Sequence, residues 1–185
     1  MFSGAELTNS KLKCLDRWLK SNKISINADK TKYELFSFGK DVYFNDISVG
    51  SNTINETSVT KFLGIHLDKK LNFANHLTEM SMKVAKSIIL LCKLNRFLPE
   101  IIILKTLYTS LTHPYLSYGI EAWHGTYQNN NSKIFVLQKK AIRAMNNLAY
   151  NEHTNACLKC NKILKLSDQY KLQVSNYYSI LALQY

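Results

Sequence analysis

Two prolines and six glycines in 185 residues leave few places where a helix must stop or the chain must turn sharply. Collagen-like and low-complexity descriptions are excluded, and long uninterrupted helices are allowed. Apolar runs are also short. The longest, Ile88–Cys92 and Ile101–Leu104, fall well below the ~20 residues of a membrane span, so no transmembrane helix and no membrane partner is expected. Arginine is scarce: Arg17, Arg96 and Arg143 are the only three among 24 basic residues. The fork that reads guanine edges is therefore rare, and contact with phosphate is favoured over base reading. Paired acids are missing too, with no Asp-Asp and no Asp-x-Asp. Two-metal catalysis needs converging carboxylates that hold cations ~3.5–4 Å apart. Asp41 and Asp46, five apart, would point to opposite faces of a regular strand, and Asp29 and Asp68 read as turn residues. No catalytic residue and no metal ligand is assigned. No G-x-S-x-G, P-loop or G-x-G-x-x-G occurs, which removes hydrolase, kinase and dinucleotide-enzyme readings.

What is present is positive charge on an ordinary globular composition. The chain is 46% hydrophobic and 20% charged, carries a net +11, and is long enough for one packed core but not for two enzyme domains. Residues 1–70 hold 11 basic and 8 acidic side chains, 71–150 hold 9 and 3, and 151–185 hold 4 and 2. The middle block is the electrostatic centre. Met1–Ser10 lacks the basic start and apolar stretch of a signal peptide, and Cys14 and Cys92 stand alone, so a reducing compartment, nucleus or cytoplasm, is expected. Excess positive charge there points to nucleic acid.

Periodicity divides the chain. Leu12, Leu15 and Leu19, with Cys14 and Trp18, predict a helix over about Leu7–Ser21, stopped by a left-handed Asn22. Alternation at Ile24 and Ile26, at Tyr33 and Leu35, and at Val42, Phe44 and Ile47 predicts short strands, and Val59–Leu67 a last one ending at Asp68. Leu77, Val84, Leu91 and Leu98, seven apart with Met80, Ile88 and Leu94 between, predict a long helix. Pro99 suits the first turn of a second, Glu100 to about Thr112, ended by His113 and Pro114. A third is expected over Ser132–Asn147 with Ile134, Leu137, Ala141 and Met145 inward, and shorter helical patterns start at Thr154 and Ser167. The expected class is α+β: an N-terminal helix and small antiparallel sheet, then a helical bundle. The expected pieces are 1–72, 73–150 and 151–185.

Two constellations invite function. His153, Cys157 and Cys160 have zinc-like spacing, but three ligands do not close a structural site. The cysteines read more simply as small buried hydrophobes on a helix. On the long helix, Lys83, Lys86, Lys93 and Arg96 lie on one broad flank opposite much of the apolar stripe, and Lys139, Lys140 and Arg143 sit on the third helix. A solvated face and a track for a phosphate backbone explain these seven equally well from periodicity alone.

Several strings resemble one family, the reverse transcriptases of non-LTR (LINE-type, jockey-like) retrotransposons. Trp18-Leu19-Lys20-Ser21-Asn22-Lys23-Ile24-Ser25-Ile26-Asn27, with Lys30-Thr31 and Leu35-Phe36-Ser37, resembles the segment called motif D. Lys61-Phe62-Leu63-Gly64-Ile65-His66-Leu67-Asp68 is similar to the primer-grip signature. His76-Leu77, Lys83, Leu107-Tyr108, Pro114, Tyr118-Gly119, Trp123 and Leu137–Arg143 resemble the thumb and following helices. His153-Thr154 and Ile163–Leu166 are similar to a post-thumb tail without zinc, so nearly the whole chain is covered.

The resemblance implies 1–72 as a partial palm, 73–150 as thumb and 151–185 as tail. It makes Lys30 a candidate beside the incoming triphosphate, and Phe62, Leu63 and Gly64 the primer grip. The seven basic side chains would meet an RNA/DNA template-primer duplex, and the palm and fingers portion absent from this sequence would be a further partner. The family's metal-binding Asp-Asp turn precedes the first matched helix and is absent here. The resemblance therefore implies Mg²⁺ in the intact family, no cofactor for this chain, and no polymerisation by the chain alone. The alternative is a non-catalytic protein-interaction remnant without a nucleic-acid role.

Overall fold

The computed structural model describes residues 4–37, 47–126 and 128–182, so the expected strand residues Val42 and Phe44 lie outside the described residues, as do Asp41 and Asp46. The chain forms two compact units, Met1–Leu71 and Asn72–Tyr185.

The first unit opens with α1 (Gly4–Ser21). Glu6 in its first turn and Lys20 in its last oppose the helix dipole, and Lys20 pairs with Asp16 one turn back at 2.7 Å. The left-handed residue that ends it is Lys23 (φ 56°), one past the expected Asn22. The N–H groups of Ile24 and Lys23 return to Leu19 O and Lys20 O, the paired bonds of a Schellman stop, and Asn22 Nδ2 donates to Trp18 O at 2.8 Å. The same pair of bonds recurs in the second unit at Asn161–Ile163, where Lys162 is left-handed; at Asn146–Leu148 Asn147 is left-handed and the N–H of Leu148 returns to Arg143 O. Each time the asparagine before the left-handed residue donates its side-chain amide four residues back, Asn161 to Cys157 O and Asn146 to Ile142 O, both at 2.8 Å.

Three two-stranded pieces follow α1 in place of one sheet. β1 (Lys32–Tyr33) pairs in parallel with β4 (Asn55–Glu56), and β2 (Ser48–Val49) pairs antiparallel with β3 (Asn52–Thr53). β5 (Val59–Phe62) pairs antiparallel with β6 (Ile65–Asp68). The expected single strand Val59–Leu67 is thus a hairpin. Leu63 (φ 45°) and Gly64 (φ 83°) both take the positive φ that a two-residue type I′ turn demands, which alternation of side chains alone does not reveal. Ile24 and Ile26 form no strand. Ile47, Val49 and Ile54 are buried, and α1 lies against β2, with Asn9 Oδ1 accepting from Ser48 N at 3.2 Å.

The second unit is helical. α2 (Ala74–Phe97) buries His76, Leu77, Met80, Val84, Ser87 and Leu91, the stripe that the seven-residue spacing predicts, whereas Leu98 caps the helix and is exposed. α3 (Ile101–Leu107) starts after Glu100, with Pro99 just outside it. The helix does not end at His113 and Pro114. Tyr108–Thr112 adopts π-type bonding, and α4 (His113–Ser117) continues with Pro114 in its first turn. The one-residue shift of the hydrogen-bond ladder absorbs the donor that proline lacks. α5 (Ile120–Trp123) and α6 (Gln128–Asn146) come next, then α7 (Asn155–Cys160) and α8 (Leu166–Ala182).

α2 and α6 form the main helix pair of this unit. Leu91, Leu104, Tyr108, Ala141, Ile142, Met145, Leu158 and Ile163 close one core. Leu137, expected inward, is half-buried; Gln138 takes the interior position because its amide has backbone partners there. Two hydroxyls also share the interior. Ser87 donates to Val84 O at 2.8 Å, so Thr112 donates to Ser87 Oγ at 2.9 Å.

Candidate nucleic-acid interface

The seven basic residues expected to meet phosphate fall into three environments. Lys83 is engaged: its Nζ pairs with Glu79 at 2.5 Å and stands 5.7 Å from the Tyr115 ring, and the hydrogen bond to Glu79 raises its pKa. Lys139 lays its ammonium 4.4 Å over the Phe135 ring. The remaining five, Lys86, Lys93 and Arg96 on α2 with Lys140 and Arg143 on α6, belong to two rows of one design. Lys86, Lys93 and Arg96 stand at i, i+7 and i+10; Lys133, Lys140 and Arg143 repeat that spacing. Positions seven and ten apart differ by about 20° and 80° around a helix, so each row is a narrow ridge about 15 Å long. All but the half-buried Arg143 are exposed. Lys133 was absent from the sequence-based set, although the identical spacing of the two helices was its signal.

Little negative charge opposes these rows. α6 contains no acidic residue, and the one acid of α2, Glu79, is paired with Lys83. The rows end on a shared groove of about 650 Å³, lined by Asn95 and Arg96 from α2 and by Arg143 and Asn147 at the end of α6. Asn95 Nδ2 donates to Ala144 O at 2.8 Å and ties the two helix ends together. Arg143 is oriented by donation from Nε to Glu152 O at 3.0 Å, with the Tyr150 ring 6.0 Å from its guanidinium carbon.

The other sequence candidates lie in the first unit. Lys30 is exposed in the turn before β1, its backbone N–H donating to Asn27 Oδ1 at 3.1 Å. Phe62 and Leu63, 61% and 73% exposed, project at the tip of the β5–β6 hairpin beside Gly64. His153 and Cys160 are exposed and Cys157 is half-buried, so Cys160 is not the buried hydrophobe expected. Among the described residues no three His, Cys, Asp or Glu side chains gather where a metal ion could be held. No helix among these residues is long and apolar enough to cross a membrane.

Comparison with known proteins supports the resemblance drawn from the motifs. The chain is 26% identical over 162 residues to the RNA-directed DNA polymerase from mobile element jockey of Drosophila melanogaster, covering 85% of this chain and 17% of that protein. It is 29% identical over 142 residues to the probable RNA-directed DNA polymerase from transposon BS, and 23% identical over 172 residues to that from transposon X-element, both of Drosophila melanogaster. These matches cover 75% and 89% of the chain but 16% and 18% of the two proteins. No family model and no solved structure matches. The chain is thus similar to RNA-directed DNA polymerases of mobile elements along three quarters or more of its own length, and spans about one sixth of theirs.

Proposed function

We propose that this chain is the template-primer-holding part of a non-LTR retrotransposon RNA-directed DNA polymerase, with Met1–Leu71 as partial palm and the helices after Asn72 as thumb and tail. The observation that carries the reading is the pair of basic rows, Lys86–Lys93–Arg96 and Lys133–Lys140–Arg143, on helices almost free of acid. A phosphate backbone is the ligand that rewards such a ridge without demanding base contacts, because neutralised phosphates release condensed counterions. The relatives, all named as RNA-directed DNA polymerases, suggest the class of nucleic acid: a template paired with a primer. In the same reading Lys30 lies near the incoming triphosphate and Phe62, Leu63 and Gly64 grip the primer end.

The sequence offers no Asp-Asp pair to hold the ions that activate a 3′-hydroxyl, so the chain alone binds but does not polymerise. The reading is tested by fluorescence anisotropy on an RNA/DNA duplex together with primer extension. Salt-sensitive binding without extension is the expected pair of results. Template-dependent synthesis by this chain contradicts the inactivity, and absent binding contradicts the interface.

A second reading, a protein-contact surface, draws on Phe97 and Ile102, which are 80% and 77% exposed at the α2–α3 junction. Under that reading, association of the chain persists at high salt and nucleic acid does not compete with it.

A further inference from the structure

We infer that the groove at the C-terminal ends of α2 and α6 is a phosphate site for an unpaired nucleotide, with the phosphoryl oxygens held between Arg96 and Arg143. The nucleotide rests on the nucleic-acid reading above; the phosphate chemistry rests on the groove alone. Two of the chain's three arginines line this one concavity, and no acidic side chain does. Its volume of about 650 Å³ falls within the roughly 300–1,000 Å³ typical of small-ligand sites, and suits one extruded nucleotide, not a double helix. Pro99 and Ile101 give it an apolar wall against which a sugar or base can lie.

The plain account of these arginines is that each offsets the negative end of its own helix. Magnitude decides against that as the whole explanation. Each helix end carries about −0.5 charge, so the two guanidinium groups exceed the two helix ends by about +1. Arg143 also keeps its two terminal amino groups after Nε donates to Glu152 O, a contact that fixes the plane of the fork. Guanidinium forks bind phosphate bidentately, which a lysine ammonium does not. The lysine ridges would hold paired backbone, and the arginine groove at their meeting point would hold a strand that has left the duplex.

The test is ¹⁵N-arginine NMR of the full chain at constant ionic strength, since three arginines give three Nε signals. Titration with the 5′-phosphorylated dinucleotide pTpT is expected to shift Arg96 and Arg143 together and saturably while Arg17 stays still. Thymidine should shift none. Thymidine monophosphate separates the sources: weaker saturation than pTpT means a strand is the ligand, and equal saturation means a free nucleotide. R143Q should abolish the Arg96 response, and R143K, which keeps charge without the fork, should weaken it about tenfold. Alkylation of the exposed groove residue Cys92, read by peptide mass, should slow when pTpT is bound. Absence of saturable shifts, or Arg17 moving in step, overturns the site. A chain that gives the arginine titration but binds no duplex keeps the groove and loses the polymerase reading. A chain that binds duplex without the titration loses the groove alone.

Discussion

The side-chain carbonyl of Gln138 accepts the backbone N–H of Leu166 at 3.0 Å, and the same amide donates to Leu164 O at 2.9 Å. One buried side chain of α6 thus satisfies both polar groups of the turn that leads into α8. Gln138→Leu keeps the volume and strands a buried donor and a buried acceptor, at a cost of roughly 2–4 kcal/mol. Urea unfolding followed by circular dichroism measures it; an unchanged midpoint would remove Gln138 from its structural role.

The hydroxyls of Ser87 and Thr112 form a second buried polar link, across α2 and the π-type turn. Ser87→Ala leaves the Thr112 proton without its acceptor, and about 1–2 kcal/mol of stability should be lost. Adding Thr112→Val should recover part of that loss, so a double-mutant cycle should return a coupling of about 1 kcal/mol. Additive losses contradict the link.

Leu63 at the hairpin tip carries a left-handed backbone that costs a non-glycine residue about 1 kcal/mol. Leu63→Gly should stabilise the Met1–Leu71 unit by about 0.5–1 kcal/mol, measured as slower amide exchange in β5 and β6. If the side chain grips a primer end, the same variant lowers duplex affinity while raising stability. A destabilised hairpin would contradict the turn.

Burial holds His113 and His124 below their ordinary value of 6.5, and raises Tyr108 above 10. His124 also stacks on Tyr170 at 4.5 Å. For the histidines, the unfolded chain binds protons first as pH falls, so stability is full above 6.5 and declines below it. For Tyr108 the unfolded chain ionises first, and stability declines as pH rises past 10. Thermal melts from pH 7 to 5 should show the acid decline, and His124→Phe, which keeps the stack and removes the titration, should blunt it. An identical slope in that variant contradicts the assignment to His124.

Much of this was legible in the sequence where the physics is local. The heptad-spaced Leu77, Val84 and Leu91 mark the buried stripe of α2, and the helix of α1 follows from Leu12, Leu15 and Leu19. Backbone-specific features were not. The turn at Leu63–Gly64 depends on φ, and the helix passes Pro114 because a π-type segment shifts its bonding beforehand. The burial of Gln138 is not visible in helical spacing, because its partners are backbone groups 26 and 28 residues away. For the interface, the basic residues were visible as a set, but the engagement of Lys83 with Glu79 and the meeting of Arg96 with Arg143 in one groove required three dimensions.

The central claim, that the two basic rows hold nucleic acid by its phosphates, is tested most directly by duplex affinity as a function of salt. Four lysines, Lys86, Lys93, Lys133 and Lys140, should give a slope of log affinity against log salt of about −3.6 on B-form DNA. The Lys86→Gln/Lys93→Gln variant should weaken binding and flatten that slope by about 1.8. Affinity that ignores salt, or a slope unchanged in the variant, contradicts the account.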